Sequence, residues 1–213
     1  GYTDAVVSDS SILGTITGAR SVCVDANNGV VSITGQRGQV SSWQSGGSGN
    51  GPWNQLSNTD TFLTYQNLPQ TTYYRINIKN GKCPLVTSQP VKIQVDDTSR
   101  GGNLLGNAEV CRPLNNGTVQ LINQFGAIAN WLASSDTGKT WSNLTNTNNS
   151  YQFNNLAGDR WYSVVVKNGV CNEDTSNSVF INTFSQPTVN FVADSICLGA
   201  ITSFSDSTIL LEG

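Results

Sequence analysis

The chain of 213 residues contains no histidine and no methionine, and its five cysteines are widely spaced. Without an imidazole group, the chain can assemble neither a Ser/His/Asp nor a Cys/His nucleophilic site. A histidine-ligated metal site is excluded for the same reason, and no two cysteines have the CxxC spacing of a zinc site. We therefore predict a protein that is not an enzyme and that needs no cofactor or metal.

Charge is also scarce, because only 12% of the residues are Asp, Glu, Lys or Arg and the net charge is −3. The Lys and Arg residues are scattered and form no basic patch, so we expect no nucleic-acid partner. The sequence has no apolar run near the roughly 20 residues that a membrane-spanning helix needs. Uncharged polar residues dominate the surface composition, which is typical of secreted β proteins.

A long internal repeat is the main feature of the sequence. Shifting the chain by 88 residues places CVDANNGVVSITGQRGQVSSW (23–43) over CRPLNNGTVQLINQFGAIANW (111–131) without a gap. YYRINIKNGKC (73–83) falls in the same way over WYSVVVKNGVC (161–171). Repeats of this length are whole domains. We predict the end of a preceding repeat over 1–11, repeats over 12–99 and 100–187, and the start of a truncated further repeat over 188–213.

Each repeat has the pattern of short β-strands separated by turns, with no sustained helical periodicity. Alternation in the segment before the first NG turn places Tyr74, Ile76 and Ile78 on one face, which predicts a strand with its core side there. Trp43 and its counterpart Trp131 are predicted to lie in the core. The fold class is therefore all-β, with tandem immunoglobulin-like β-sandwich domains.

Two pairs of cysteines are sixty residues apart, Cys23 with Cys83 and Cys111 with Cys171. A domain of this size buries little surface, and closing a loop of sixty residues adds roughly 4 kcal/mol in the chain-entropy model. We therefore predict a disulfide within each repeat and an extracytoplasmic location. The alternative is that each repeat holds two buried free thiols. We expect Cys197 to find its partner outside this sequence.

The segment SSDTGKTW (134–141) matches the Asp-box signature SxDxGxTW, which is associated with sialidases and other glycan-active β-propellers. In such a box the Asp accepts backbone amides across a tight turn, the Gly adopts positive φ and the Trp packs beneath the hairpin. The first repeat keeps only the Trp of the motif. The arginines do not recur between repeats, and no carboxylate between the paired cysteines does. We therefore interpret the box as a structural hairpin and place a glycosidase third among the functional hypotheses.

Two binding hypotheses remain beside the structural one. Asp136, Trp141 and Trp161 could contact a glycan, as in carbohydrate-binding modules, because Trp161 has the outward-facing parity of its strand. A calcium ion at the domain joints would use the adjacent acids at 96–97 or at 173–174, although we favour solvated loop ends.

The pattern CxxxNNGxV, GxxxxxW, SSDTGKTW, YxVxVKNGVC and TSNSVFI resembles the Ig-like and PKD-like tandem repeats of giant Bacteroidetes cell-surface adhesins, of which the SprB-type gliding-motility adhesins are an example. The resemblance covers residues 12–187, and 191–213 is similar to the opening of a PKD-like repeat. It implies type IX secretion and an outer-membrane-attached filament that adheres to a substratum or surface polysaccharide. The gliding or secretion machinery would be engaged through other regions.

Two short motifs, DSI at 194–196 and DST at 206–208, are similar to sites where such bacteria attach O-glycans, at Ser195 and Ser207. The resemblance brings no catalytic residues. We therefore expect a non-catalytic structural segment of an extracellular adhesin filament, with a carbohydrate-binding module of a secreted glycan-active protein as the alternative.

Overall fold

The computed structural model describes residues 7–24, 26–193 and 195–209, and all regular structure in them is β-strand. The strands of the first repeat are β1 (Thr15–Thr17), β2 (Arg20–Cys23), β3 (Asn28–Thr34), β4 (Gln39–Gly46), β5 (Asn54–Leu56), β6 (Phe62–Gln66), β7 (Thr72–Lys79), β8 (Val86–Thr87) and β9 (Val91–Asp96). The second repeat has β10 (Asn103–Leu105), β11 (Ala108–Arg112), β12 (Asn116–Ile122), β13 (Ala127–Ser134), β14 (Ser142–Leu144), β15 (Ser150–Asn154), β16 (Arg160–Lys167), β17 (Asp174–Thr175) and β18 (Val179–Ser185).

Each repeat forms two sheets. In the first repeat, one sheet has the order β1-β3-β6, and the other has the order β2-β9-β7-β4-β5 with β8 paired to β7. The second repeat reproduces both, as β10-β12-β15 and as β11-β18-β16-β13-β14 with β17 on β16. The two sheets of each repeat enclose one apolar cluster, which is the two-layer arrangement of an immunoglobulin-like sandwich. The predicted fold class is confirmed.

The core of each sandwich contains the apolar residues that the sequence alternation selects. Tyr74, Ile76 and Ile78 on β7 are all buried, as the alternation predicts. Trp43 and Trp131 are fully buried, and each indole NH donates to a backbone carbonyl, of Asp60 and Asn148 respectively, at 2.9 Å. The largest buried side chain of each core therefore has its NH group hydrogen-bonded, and burying the ring leaves no donor unpaired.

A parallel strand pair joins the beginning of each repeat to its end. β2 pairs with β9 in parallel from Arg20 opposite Ile93 to Cys23 opposite Asp96, and β11 pairs with β18 in the same way. β9 in turn runs antiparallel to β7, with Thr72 opposite Ile93. Cys23 consequently lies at the end of the sheet where β7 begins.

The chain separates into two compact units. The first unit takes in the chain up to Thr98 together with Asn168–Asn172, and the second holds Ser99–Lys167 and the chain from Glu173 onwards. After the second sandwich, β19 (Phe191–Ala193) and β20 (Phe204–Asp206) pair as a short antiparallel hairpin. The hairpin is the only regular structure described after Ser185, and its PKD-like nature stays a prediction.

Candidate functional site: the disulfide joint of the first unit

One disulfide joins Cys23 to Cys171, whereas Cys83, Cys111 and Cys197 are free thiols. The predicted pairs, Cys23 with Cys83 and Cys111 with Cys171, are therefore wrong. The prediction that Cys23 and Cys171 are oxidised holds, but with a partner from the other repeat. The Cα atoms of the bonded pair are 4.9 Å apart, and Cys171 is buried.

The length of a strand explains why the cysteines of one repeat do not meet. Cys23 lies beside the start of β7, whereas Cys83 follows the turn after β7 ends. The eight residues of β7 at about 3.3 Å each separate the two positions by roughly 25 Å. A disulfide needs Cα atoms within about 7 Å. The same holds in the second repeat, where Cys111 lies beside the start of β16 and Cys171 follows its end.

The turn that carries Cys171 is fixed by several contacts to the end of β9, and we call this set of residues the joint. Asn168 Nδ2 donates to the carbonyl oxygen of Asp97 at 2.8 Å, and the Val170 amide donates to Asp96 Oδ2 at 3.1 Å. The Sγ atom of Cys171 lies 3.3 Å from the carbonyl oxygen of Asp96. These contacts place the sulfur beside Cys23, whose strand ends opposite Asp96.

The turn of the first repeat makes equivalent contacts with the segment that precedes β1. Asn80 Nδ2 donates to the Asp9 carbonyl at 2.8 Å, and Cys83 Sγ lies 3.3 Å and 3.2 Å from the carbonyl oxygens of Ser8 and Asp9. With the 88-residue shift, Asp9, Asn80 and Cys83 are equivalent to three residues of the joint, Asp97, Asn168 and Cys171 respectively. The sequence contained this signal, since Asn80 and Asn168 are shared positions, but sequence reasoning did not assign the contact.

A buried asparagine clamp holds the strand end that carries the first cysteine of each repeat. Asn27 Nδ2 donates to the carbonyls of Cys23 and Leu68 at 3.0 Å each, and its Oδ1 accepts the Leu68 amide at 2.8 Å. Asn115 makes the same three bonds with Cys111 and Leu156, at 3.1, 3.0 and 2.9 Å. Both amide side chains are therefore fully used in the fold. This clamp explains why both repeats have an asparagine at the first position of the Asn-Asn pair.

The SSDTGKTW segment forms the hairpin that the motif predicts. Asp136 Oδ1 accepts the Thr140 amide at 2.8 Å, and Asp136 Oδ2 accepts the Thr140 hydroxyl at 2.6 Å. The Ser134 hydroxyl also donates to Asp136 Oδ1, at 2.7 Å. Gly138 has a φ of 79°, and the Trp141 ring lies against its open side. These hydrogen bonds, first of all the one from the Thr140 side chain, lower the pKa of Asp136 to about 2.

The three residues of the glycan hypothesis are only partly brought together. Asp136 and Trp141 share the hairpin, and Trp141 is 37% exposed. Trp161 is half-buried on β16 and stacks on Phe180 with ring centroids 4.3 Å apart. An open cleft beside the hairpin is lined by polar and apolar side chains that include Ser134 and not the two tryptophans. A carbohydrate contact by these residues stays a prediction.

One residue of each acidic pair considered for calcium accepts a hydrogen bond from a backbone amide. Asp96 accepts from Val170, and Asp174 Oδ2 accepts the Gly101 amide at 2.8 Å. Glu173 forms a surface ion pair with Lys167 at 3.7 Å. Asp96 is the half-buried last residue of β9, whereas Asp174 is the exposed first residue of β17. Within the described residues, no three His, Cys, Asp or Glu side chains converge as a metal site would require.

Both predicted O-glycosylation serines, Ser195 and Ser207, are exposed. In the DST motif, Asp206 Oδ1 accepts the Thr208 amide at 2.8 Å, and hydrogen bonds from Thr208 lower the pKa of Asp206. Asp194 of the DSI motif lies outside the described residues. Modification of the two serines stays a prediction.

No helix long and apolar enough to span a bilayer occurs in the part of the chain that the structure describes.

The fold is similar to that of immunoglobulin domain arrays. A marsupial T cell receptor superposes with a TM-score of 0.53 at 12% identity, covering 87% of this chain and 78% of the receptor chain. An I-band fragment of titin superposes with a TM-score of 0.52 at 9% identity, covering 86% and 68% respectively. No curated protein sequence matches the chain significantly. At these identities the likeness establishes the fold alone.

A family model described as a domain of unknown function, DUF8696, matches residues 12–97 and again residues 100–185. The two matches together cover most of the chain, and they fall on the two sandwiches described above. The chain therefore belongs to the DUF8696 family, of which it carries two tandem copies.

Proposed function

We propose that the chain is a non-catalytic structural segment of a long extracellular cell-surface adhesin filament that acts in adhesion and gliding motility. The observation that carries the proposal is the Cys23–Cys171 disulfide, a covalent cross-link between consecutive family copies. Such a bond is typical of extracytoplasmic proteins. The residues common to both copies serve the core, the turns, the clamp and the cysteine positions, as expected for a spacer.

The strand order supports resistance to pulling along the chain. In the first repeat β2, near the start, and β9, at the end, run in parallel side by side, as β11 and β18 do in the second repeat. In the reduced chain, where the Cys23–Cys171 bond is open, tension at the two ends therefore slides β2 and β9 in opposite directions along their common axis. The hydrogen bonds between them are evenly spaced and lie across the direction of the force, so they must break together rather than in succession.

The disulfide adds a covalent path for the force. Because Cys23 and Cys171 are bonded across a sequence separation of 148 residues, tension passes from one sulfur to the other. The residues between the two cysteines cannot be extended until the bond is reduced. This arrangement limits lengthening of the segment even when a sandwich unfolds.

Single-molecule pulling from the two ends of the chain tests the mechanical part of the proposal. The oxidised protein should reach a final contour length shorter by about 50 nm than the reduced protein, at roughly 3.5 Å per extended residue. Cys23→Ser should lengthen the oxidised protein to the reduced value. Cys83→Ser, which removes a free thiol, is the matched control and should change nothing. Equal lengths before and after reduction would contradict the shielding by the disulfide.

The cellular part of the proposal is the SprB-type identity, with type IX secretion, outer-membrane attachment and contacts to the gliding machinery through other regions. The resemblance of the sequence motifs supports it. Antibodies raised against the chain should label filaments on intact cells of the source organism and reduce their attachment and gliding. Labelling confined to the cell interior would contradict it.

The second candidate is a carbohydrate-binding module, which the exposure of Trp141 beside Asp136 favours. Glycan-array binding that is lost in both Trp141→Ala and Trp161→Ala would support it. Trp53→Ala, which changes the equivalent tryptophan of the copy without the Asp-box, is the control. If the folded protein binds no glycan, the carbohydrate-binding candidate is contradicted and the structural role remains.

A further inference from the structure

We propose that Cys83 and Cys111 are each one half of a further joint, whose other half is supplied by another tandem copy of this repeat. Cys83 would bond with the first cysteine of the copy before it, and Cys111 with the second cysteine of the copy after it. The proposal rests on the local geometry of the joint and not on the adhesin role.

Cys83 already lies in the surroundings that Cys171 has in the joint. Its turn is closed by the Cys83 amide donating to the Asn80 carbonyl at 2.9 Å, and the turn around Cys171 is closed by the same bond to Asn168 at 3.0 Å. Both sulfurs lie 3.3 Å from the backbone carbonyl oxygen of equivalent residues, Ser8 for Cys83 and Asp96 for Cys171. Gly81 and Gly169 have φ values of 54° and 51°. The first turn therefore holds the Cys83 thiol with the same local contacts with which the second turn holds the bonded sulfur of Cys171.

Cys111 likewise has the position that Cys23 has in the joint. Each residue is on a strand that pairs in parallel with the last strand of its repeat, Cys23 opposite Asp96 and Cys111 opposite Phe184. Each has its carbonyl held by the clamp, through Asn27 at 3.0 Å and through Asn115 at 3.1 Å. Cys111 is exposed, so its thiol is accessible to a partner.

The partner of each thiol is a copy of this repeat because the Cys23–Cys171 bond joins the same two kinds of position, the first cysteine of one copy and the second cysteine of the next. A cysteine of the Cys111 type cannot reach the second cysteine of its own repeat, from which a whole strand separates it. In the Cys23–Cys171 bond, the turn of the next copy supplies the partner that the first cysteine cannot reach within its own repeat. Repetition of the bond would tie each copy to the one before it and to the one after it.

Formation of each bond releases two protons and two electrons from the two thiols. The electrons reduce a disulfide oxidant, such as glutathione disulfide, to two thiols by thiol–disulfide exchange. Because Cys111 lies between Cys23 and Cys171 in the sequence, the loop closed by the next joint overlaps the loop closed by this one. Overlapping loops would cross-link an array along its whole length.

The test is to insert a further copy of residues 100–187 into the full chain after residue 187. The protein is refolded with a glutathione redox pair, alkylated without reduction and mapped as peptides. Cys23–Cys171 should form as before, and Cys111 should become bonded to the inserted copy of Cys171, with loss of its alkylation. Cys111 that stays alkylated, bonds with its own Cys171 or forms a dimer between two chains would overturn the proposal.

Two variants keep the test decisive. Cys111→Ser in the extended chain should leave the inserted copy of Cys171 alkylated. The mirror insertion of residues 100–187 between residues 11 and 12 should instead bond the inserted copy of Cys111 to Cys83, so either extended chain tests the proposal if the other does not fold. In the unextended chain, Cys23→Ser should free Cys171 without forming a Cys111–Cys171 bond. Formation of that bond in a chain with an unchanged circular-dichroism spectrum would also overturn the proposal.

Discussion

Cys23 is bonded to Cys171 across a sequence separation of 148 residues, while Cys83, sixty positions from Cys23, is free. The parallel pairing of β2 with β9 determines this outcome, because it places Cys23 at the opposite end of β7 from Cys83. In the chain-entropy model, a loop of this length stabilises the folded chain by about 5 kcal/mol, which is comparable to the net stability of a small domain. The joint therefore supplies a stabilisation that the lean cores of these repeats need.

The asparagine clamp should be the polar feature most sensitive to mutation. Asn27→Ala removes three hydrogen bonds and leaves the half-buried Leu68 amide unpaired, so we expect a loss of about 2–3 kcal/mol in the free energy of unfolding. Asn28→Ala, at the neighbouring exposed position, is the control and should change it by less than about 0.5 kcal/mol. Urea denaturation measures both. Equal effects of the two substitutions would contradict the assigned role.

The hairpin carboxylate should make stability depend on pH in the acid range. The pKa of Asp136 in the folded protein is about 2, below the ordinary value of 3.8 for an aspartate. Its contribution is therefore fully present above pH 4 and is lost as the pH falls through 3.8 towards 2. Asp136→Asn should flatten the dependence of the urea midpoint on pH between 4 and 2, whereas Glu109→Gln, at an exposed strand position, should keep it. An unchanged slope in Asp136→Asn would count against the hydrogen bonds described.

The turn of the joint should tolerate no side chain at Gly169. This residue has a φ of 51°, and an added Cβ atom would collide with the Asp96 carboxylate. We expect Gly169→Ala to cost about 1–2 kcal/mol through backbone strain alone and to slow formation of the disulfide. Gly158→Ala is the matched control, since nothing lies within 4 Å of its added Cβ atom. Oxidative refolding followed by thiol counting gives the rates, and equal rates would refute the role of the turn.

The core and the hairpin could be predicted from the sequence because their signals are local. The alternation around Ile76 and the spacing of Asp136, Gly138 and Trp141 depend on neighbouring residues, and the structure confirms both. The disulfide could not be predicted, because it depends on which strand lies beside β2. Equal spacing of the cysteines made a bond within the repeat attractive, whereas the parallel β2–β9 pair has no signature in the periodicity of either strand.

The contacts of Asp96 were hidden for a similar reason. In the sequence Asp96 is only one of two adjacent acids, and its hydrogen-bond partner Val170 lies more than seventy positions away. The shared Asn80 and Asn168 were visible in the alignment of the repeats, but nothing in the sequence shows which carbonyls they reach. Aligning the repeats shows which residues both copies share, and the contacts between distant segments in the structure explain why they are shared.

Peptide mapping of the non-reduced chain tests the cysteine pairing most directly. After alkylation of free thiols and digestion, mass spectrometry should find the peptide of Cys23 joined to that of Cys171, with Cys83, Cys111 and Cys197 alkylated. Peptides that join Cys23 to Cys83 and Cys111 to Cys171 would show that each repeat is closed on itself, and would contradict a covalent link between consecutive copies.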